Sequence, residues 1–443
     1  MTRLPPRNPP SAALGPTAAI QIQPRFDQQV KLVVQRIGFW IFCCYLMSHI
    51  LNELAIRLAG TKTYLSDVAV ILLPLFWLAS GAGLRGLRHP IGKWWTAFLV
   101  CMLIATPFSV WKGASLELVL NYIPRSYLMF FYVAAFATSL YQCRQLIYVN
   151  TVVSFITLLM FIVFGESGTD GRFFLPGGSR FWENSNEIAM QLLMGLIQFV
   201  YLFSQKSRLA KFFAALGIAA SIPYMLWTGS RACAVGAVAY GILMLYVTRR
   251  RVRVLGIIIA LAALGMLIAP SAVLHRLTLF TGDQSKAASS ELSAVLSQIT
   301  RAELLKQSIL VTLHNPLLGV GPGQFPVAIM EEAKERDEWV QFLVTHNSYT
   351  QVSSECGIPA LICYVAVVFG SLRMSFRLWR SSRGRPQYTE IRMLSLALFA
   401  SLLVYAVCSF FFSVAYTGSL PYWAGLTLAL HFAAKHKLES TAY

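Results

Sequence analysis

The chain has 443 residues, of which 56% are hydrophobic and only 13% charged, with a formal net charge of +18. Soluble domains carry roughly a quarter charged residues, which excludes an ordinary water-soluble globular protein. The basic residues fall between long apolar runs, where they set membrane topology, so no nucleic-acid partner is expected.

Residues 1–35, rich in Pro, Arg and Gln, read as a disordered basic cytoplasmic tail. The first apolar run starts late and is long enough to span, so no cleavable signal peptide is expected. Apolar runs of bilayer-spanning length then recur at about 36–55, 64–82, 94–109, 122–140, 145–164 and 186–204. They continue at about 211–229, 232–248, 254–273, 348–370, 391–414 and 419–434. The predicted fold class is an all-α polytopic membrane protein of about twelve transmembrane helices. Nine lie in 36–273 and three in 348–434, with a long loop of helical segments at 274–347 before helix ten and a tail at 435–443.

Arg249, Arg250, Arg251 and Arg253 lie between spans eight and nine, and Arg373, Arg377, Arg380, Arg383 and Arg385 between ten and eleven. With the N-terminus in the cytoplasm, inner segments hold most of the 37 Lys and Arg, and outer segments nearly all of the 19 Asp and Glu. That asymmetry orients the chain with both termini cytoplasmic, and its basic loops can touch anionic membrane lipids. The eight cysteines lie in or beside spans with no C-x-x-C, so neither a disulfide framework nor a metal site is expected.

The outer side has two long connections. The first, GESGTDGRFFLPGGSRFWENSNEIA, concentrates Arg172, Arg180, Glu183, Asn184 and Asn186 among glycines and aromatics. The second becomes helical from Leu292, where Val295, Leu296, Ile299, Leu310 and Leu313 follow helical spacing. That stripe is expected to pack on the membrane domain, with Arg301 pointing away from it, toward water or a ligand layer. HNPLLGVGPGQF (314–325) follows no strand and lacks a G-K-S/T, so it reads as a turn folding a short segment back on the membrane. The acidic stretch 330–339 reads as a solvated helix with Glu332 and Arg336 at i,i+4 spacing.

Arg231, in WTGSRACAVGAV, stands at the outer end of span eight among small residues. A charge at that depth faces a cavity or a partner, or snorkels to the headgroups. THNSYTQVSSECG (345–357) puts a polar cluster at the mouth of span ten. Asn347 and Tyr349 are suited either to cap the helix or to bind sugar hydroxyls. Glu355 lies about two turns inside, where an unpaired carboxylate is costly, so it is expected to meet an arginine such as Arg231.

SRFWENSNEIA (179–189), TGSRACAVG (228–236), TRAELLKQSILVTLHNPLLGVGPGQF (300–325) and HNSYTQVSSECGIPALI (346–362), in this order, resemble the O-antigen ligase and polymerase superfamily. The asparagine motif, often N-P-N, reads Asn184-Ser185-Asn186 here, and Thr350 stands where leucine is usual. The resemblance implies a fold related to the lipid-sugar-dependent membrane glycosyltransferases (the GT-C fold) in the bacterial inner membrane. Such enzymes take a glycan from undecaprenyl diphosphate at the periplasmic face. Ligases pass it to a lipid A-core sugar; polymerases pass it to a growing polysaccharide. By position, the family's two essential arginines and histidine correspond to Arg231, Arg301 and His346.

The chemistry suits those residue types. Transfer releases a lipid diphosphate whose charge grows in the transition state, and guanidinium binds phosphate oxygens through paired N–H donors. Arg231 and Arg301 form the expected clamp, with Arg180 and Arg172 either assisting or pairing with Glu183, Glu187 or Asp170. Asn184 and Asn186 are grouped with the substrate-binding residues. His346 is suited to act as general base or to hydrogen-bond the diphosphate, and Glu53 is the only early outer carboxylate available as an acidic base. No cofactor or metal is implied. A transporter of lipid-linked sugars would place polar residues near the bilayer midplane in paired halves, a pattern this sequence lacks.

Overall fold

Polar residues start the long helices at the positions where orphan backbone N–H groups need acceptors. Ser139 and Gln142 form a capping box ahead of Leu140–Phe164. Asn184, Ser207 and Ser230 cap Ser185–Phe203, Arg208–Trp227 and Arg231–Val247 through their side-chain oxygens. The computed structural model describes residues 22–168, 172–176, 184–268, 289–337 and 341–440.

Helices α1 (Ile22–Ala59), α2 (Leu65–Ala79), α3 (Gly83–Arg88) and α4 (Pro90–Ala105) come first. Next are α5 (Lys112–Tyr122), a π-turn (Ile123–Tyr127), α6 (Leu128–Phe136) and α7 (Leu140–Phe164). A small antiparallel hairpin, β1 (Glu166–Ser167) and β2 (Phe173–Phe174), leads to α8 (Ser185–Phe203), α9 (Arg208–Trp227), α10 (Arg231–Val247) and α11 (Arg251–Ile268). The chain ends with α12 (Ser289–His314), α13 (Phe325–Glu335), α14 (Ser348–Ser381), α15 (Thr389–Cys408) and α16 (Ser419–Ser440).

Among the described residues seven helices are long and apolar enough to cross a membrane, and two shorter apolar ones, Leu65–Ala79 and Arg231–Val247, stand beside them. The protein is thus an all-α polytopic membrane protein. Its core is aromatic: Phe42, Trp95, Phe98, Phe130, Tyr132 and Tyr364 are almost fully buried. On α6 every residue from Met129 to Phe136 is buried, which marks a central helix. By contrast α9 buries little beyond Ala214, Gly217 and Ser221 and turns Leu209, Phe212 and Leu216 outward.

Hydrogen bonds gather the helix ends at one pole, here the upper end. Arg57 at the end of α1 donates to Pro176 O at 2.8 Å. Val110 N–H, beyond α4, donates to Val320 O at 3.0 Å, and Ser348 N–H at the start of α14 donates to Ser409 O at 2.8 Å. The opposite, lower end carries ties such as Arg144 to Glu390 at 3.0 Å.

The longest helix, α14, is broken. Gly357 adopts φ 81° and ψ 172°, and Pro359 supplies no N–H, so the helical ladder is interrupted. Freed backbone groups are expensive away from water unless protein re-satisfies them. Segment 316–323 does so. Val320 and Gly321 N–H donate to Ser354 O and Glu355 O, both at 2.9 Å, and Ile358 N–H donates to Pro316 O at 2.7 Å. A Cβ on Gly357 would run into the Leu317 carbonyl, and one on Gly319, at φ 66°, into the Glu355 backbone. The fold-back predicted for 314–325 is therefore a staple across a helix break.

Several expectations change. The first helix begins at Ile22, inside the stretch predicted to be a disordered tail. Span 122–140 is divided, because Pro124 forces a π-turn ahead of α6. Span 391–414 ends early: α15 stops at Cys408, and Phe410–Val414 is an irregular cap whose backbone bonds Ser348 Oγ. On α12 the packed face is Leu304, Ser308, Val311 and Thr312, whereas Ile299, Leu310 and Leu313 are exposed. Arg301 lies on the packed side, the reverse of the expected arrangement. The packed face meets polar side chains of α14, with Thr312 Oγ1 2.8 Å from Ser353 Oγ, so apolar character did not mark it.

Candidate active site

Three helices start at the upper end. They are α8, α10 and α14, capped by Asn184, Ser230 and Asn347, and each contributes the partial positive charge of a helix N-terminus. An arginine placed there adds to that positive charge, a setting suited to an anion.

Arg231 is the first residue of α10, half-buried, directly after the Ser230 cap. The turn before it, Thr228-Gly229-Ser230, passes through φ 60° at Gly229. That turn is held by Arg172, whose Nε donates to Thr228 O at 2.8 Å and whose Nη2 donates to Asn186 Oδ1 at 2.9 Å. The β1–β2 hairpin sets Arg172: Gly168 N–H donates to Arg172 O at 2.8 Å, and Phe173 packs against Tyr224 and Trp227. Asn184 caps α8 and donates to Glu187 Oε1 at 3.0 Å. Arg180, Glu183 and Asp170 lie outside the described residues.

Arg301 and His346 face each other from α12 and from the loop ahead of α14. His346 has φ 50°, a left-handed conformation that only a few residue types other than glycine adopt readily. Burial, and then the Arg301 guanidinium, push its imidazole down to about 4. Thr345 fixes the loop: its Oγ1 donates to Asn347 O at 3.0 Å and lies 3.0 Å from Ser413 Oγ.

Beyond the histidine the polar cluster turns inward. Asn347 Oδ1 accepts from Tyr349 N–H at 2.9 Å and Thr350 N–H at 3.2 Å, so it caps α14. Tyr349 donates its hydroxyl to Ala406 O at 2.9 Å and stacks near Phe410. Glu355 corrects the expectation of an arginine partner. Its Oε2 accepts the Gly323 N–H at 2.9 Å, and the Tyr416 hydroxyl and Phe325 N–H also bond to it. This carboxylate anchors the staple. Glu53 is likewise committed, 2.8 Å from Arg57.

Residues 214–365 match the family model described as O-antigen ligase. That stretch, about a third of the chain, supports a likeness to the O-antigen ligase and polymerase superfamily. The match supports an O-antigen ligase-like, glycosyltransferase-type function in general, of the kind that uses lipid-linked glycans. No curated protein matches the chain. The matched stretch contains Arg231, Arg301, His346, Glu355 and both staple glycines, whereas Arg172, Asn184 and Asn186 fall outside it.

The upper end also holds polar groups that sequence reading passed over: Thr345, Ser348, Ser409, Ser413 and Tyr416. Their signal was the hydroxyl spacing in SFFFSVAYTGS, which reads as a span end until Ser348 is seen bonded to it. Among the described residues no three His, Cys, Asp or Glu side chains are placed to ligate a metal, and all eight cysteines are free thiols.

Proposed function

We propose that the protein is a ligase-type glycosyltransferase of the bacterial inner membrane. It moves a glycan from undecaprenyl diphosphate to a sugar hydroxyl of lipid A-core at the periplasmic face. The upper end is then periplasmic, both termini are cytoplasmic, and the helices at the twelve predicted spans support twelve crossings of a fold related to the GT-C transferases. Arg-rich lower loops support the orientation.

Arg231 and Arg301 bind the diphosphate and take up the charge that grows as the anomeric C–O bond breaks. Preorganised donors of this kind are worth roughly 3 kcal/mol each. The acceptor hydroxyl oxygen forms the new bond to the anomeric carbon, and its proton passes to neutral His346 or to the departing diphosphate. A bound diphosphate offsets the Arg301 charge and so strengthens His346 as a base. Arg172 positions the Arg231 turn, and no metal is needed to neutralise the leaving group. The observation that carries this reading is the placement of Arg301 against His346 at the pole where α10 presents Arg231.

A deletion strain analysed for surface glycans tests it. Lipid A-core without attached chains, alongside accumulated lipid-linked polymer, is the expected result; single-repeat products instead would make the protein a polymerase.

A further inference from the structure

At the lower end, far from the arginine–histidine pair, a hollow of about 480 Å³ is lined by Gly81, Arg85, Arg88, His89, Pro90 and Phe432. It forms where the turn after α2 enters α3 and α4 and meets the side of α16. Arg85 and Arg88 stand one turn apart on α3, and among the described residues neither has a carboxylate partner. The Arg85 guanidinium lies 4.0 Å from the centre of the Phe432 ring, which fixes it over the hollow. His89 Nδ1 accepts the Ile91 N–H at 3.3 Å, leaving Nε2–H as a donor. Lys31 of α1 also closes in: its Cε would lie 3.7 Å from a Cβ on Gly81.

A pocket with several cationic donors and no acid among its described lining residues selects an anion of high charge density with several oxygens, namely phosphate. An apolar feature leads up to it. Val68, Ile71, Leu75 and Leu78 are all exposed on α2 at helical spacing, and the stripe ends at the turn containing Gly81. A free anion makes no use of such a stripe, whereas a headgroup with acyl chains uses both. We infer that this hollow is a binding site for the phosphate of an anionic membrane lipid, its acyl chains lying along α2.

The test uses the full-length protein purified in mild detergent. Native mass spectrometry counts phosphatidylglycerol retained from the membrane, and thermal unfolding is followed with added phosphatidylglycerol, phosphatidylcholine or inorganic phosphate. Wild type should retain phosphatidylglycerol and melt higher with it than with phosphatidylcholine. The double variant Arg85→Gln/Arg88→Gln should lose retained lipid by roughly tenfold or more, since each basic residue near an anionic surface contributes about 1 kcal/mol. Arg85→Lys/Arg88→Lys keeps the charge and should recover much of the binding, which guards against a folding defect. Equal lipid retention by wild type and the Gln variant overturns the site. Stabilisation by inorganic phosphate equal to that by the lipid overturns the lipid as its source. Glycan transfer does not enter either readout, so the outcome is independent of the proposed activity.

Discussion

Burial, and then Arg301 facing it across the upper end, keep His346 uncharged: together they push the imidazole down to about 4. A protonated imidazole would have no lone pair left to receive the acceptor's proton. Replacing Arg301 by Gln should raise the His346 pKa toward its ordinary 6.5. The acid limb of kcat/KM should therefore move from about 4 in the wild type to higher pH in the variant. The sign is the same for stability. His346 has a lower pKa folded than unfolded, so its contribution is complete above about 6.5 and is lost as pH falls toward 4. A pH–rate profile with lipid-linked donor checks the first claim, and an unchanged acid limb in the Gln variant would refute the coupling.

His346→Asn separates chemistry from backbone strain. Asparagine accepts the left-handed conformation that His346 adopts at φ 50°. The variant should melt like wild type yet transfer glycan about 10²–10⁴-fold more slowly, the range for loss of a general base. Retained transfer would remove the imidazole from the reaction.

Arg172→Ala should leave the Thr228 carbonyl and the Asn186 amide without their partner, at a cost of about 1–3 kcal/mol. Because the Thr228 turn sets the first residue of α10, kcat should fall along with stability. Arg172→Lys loses the two-pronged hold and should restore only part of either. Melting temperature and single-turnover rates distinguish this positioning role from a direct one, in which rate alone would change.

Gly357→Ala should be among the most damaging small substitutions. It forces a Cβ at φ 81° into the Leu317 carbonyl. Gly384→Ala is the control: Gly384 has φ 78°, but nothing lies within 4 Å of where its added methyl would stand, so it incurs only the left-handed strain of about 1–2 kcal/mol. Thermal unfolding should rank Gly357→Ala well below Gly384→Ala; equal melting would deny the staple its structural role.

Arg231→Lys and Arg301→Lys should each impair transfer strongly, since lysine keeps the charge but not the paired donors. Purified protein should remain active in chelator, and activity lost there and restored by Mg²⁺ would overturn the metal-free proposal.

Helix starts were readable where an apolar run met a capping residue, as at Ser185 and Ser348. Faces were not. The packed face of α12 carries Ser308 and Thr312 and meets hydroxyls of α14. The Ile299, Leu310 and Leu313 stripe therefore gave no reliable clue to what α12 packs against. The partner of Glu355 was hidden for another reason: it is the backbone of a loop more than thirty residues away in sequence (|i−j| = 32), and backbone donors leave no trace in composition. Phe410–Phe412 misled because an apolar triplet can cap helix ends as well as extend one.

The staple at Gly357 makes α12 a lever with its fulcrum on α14. Arg301 stands about 20 Å along that lever from Asn315, taking 1.5 Å per residue. A tilt of about 10° at the root would therefore swing the guanidinium by about 4 Å, enough to part it from His346. The stiffness of a glycine-rich joint thus governs the aim of a charge several turns away.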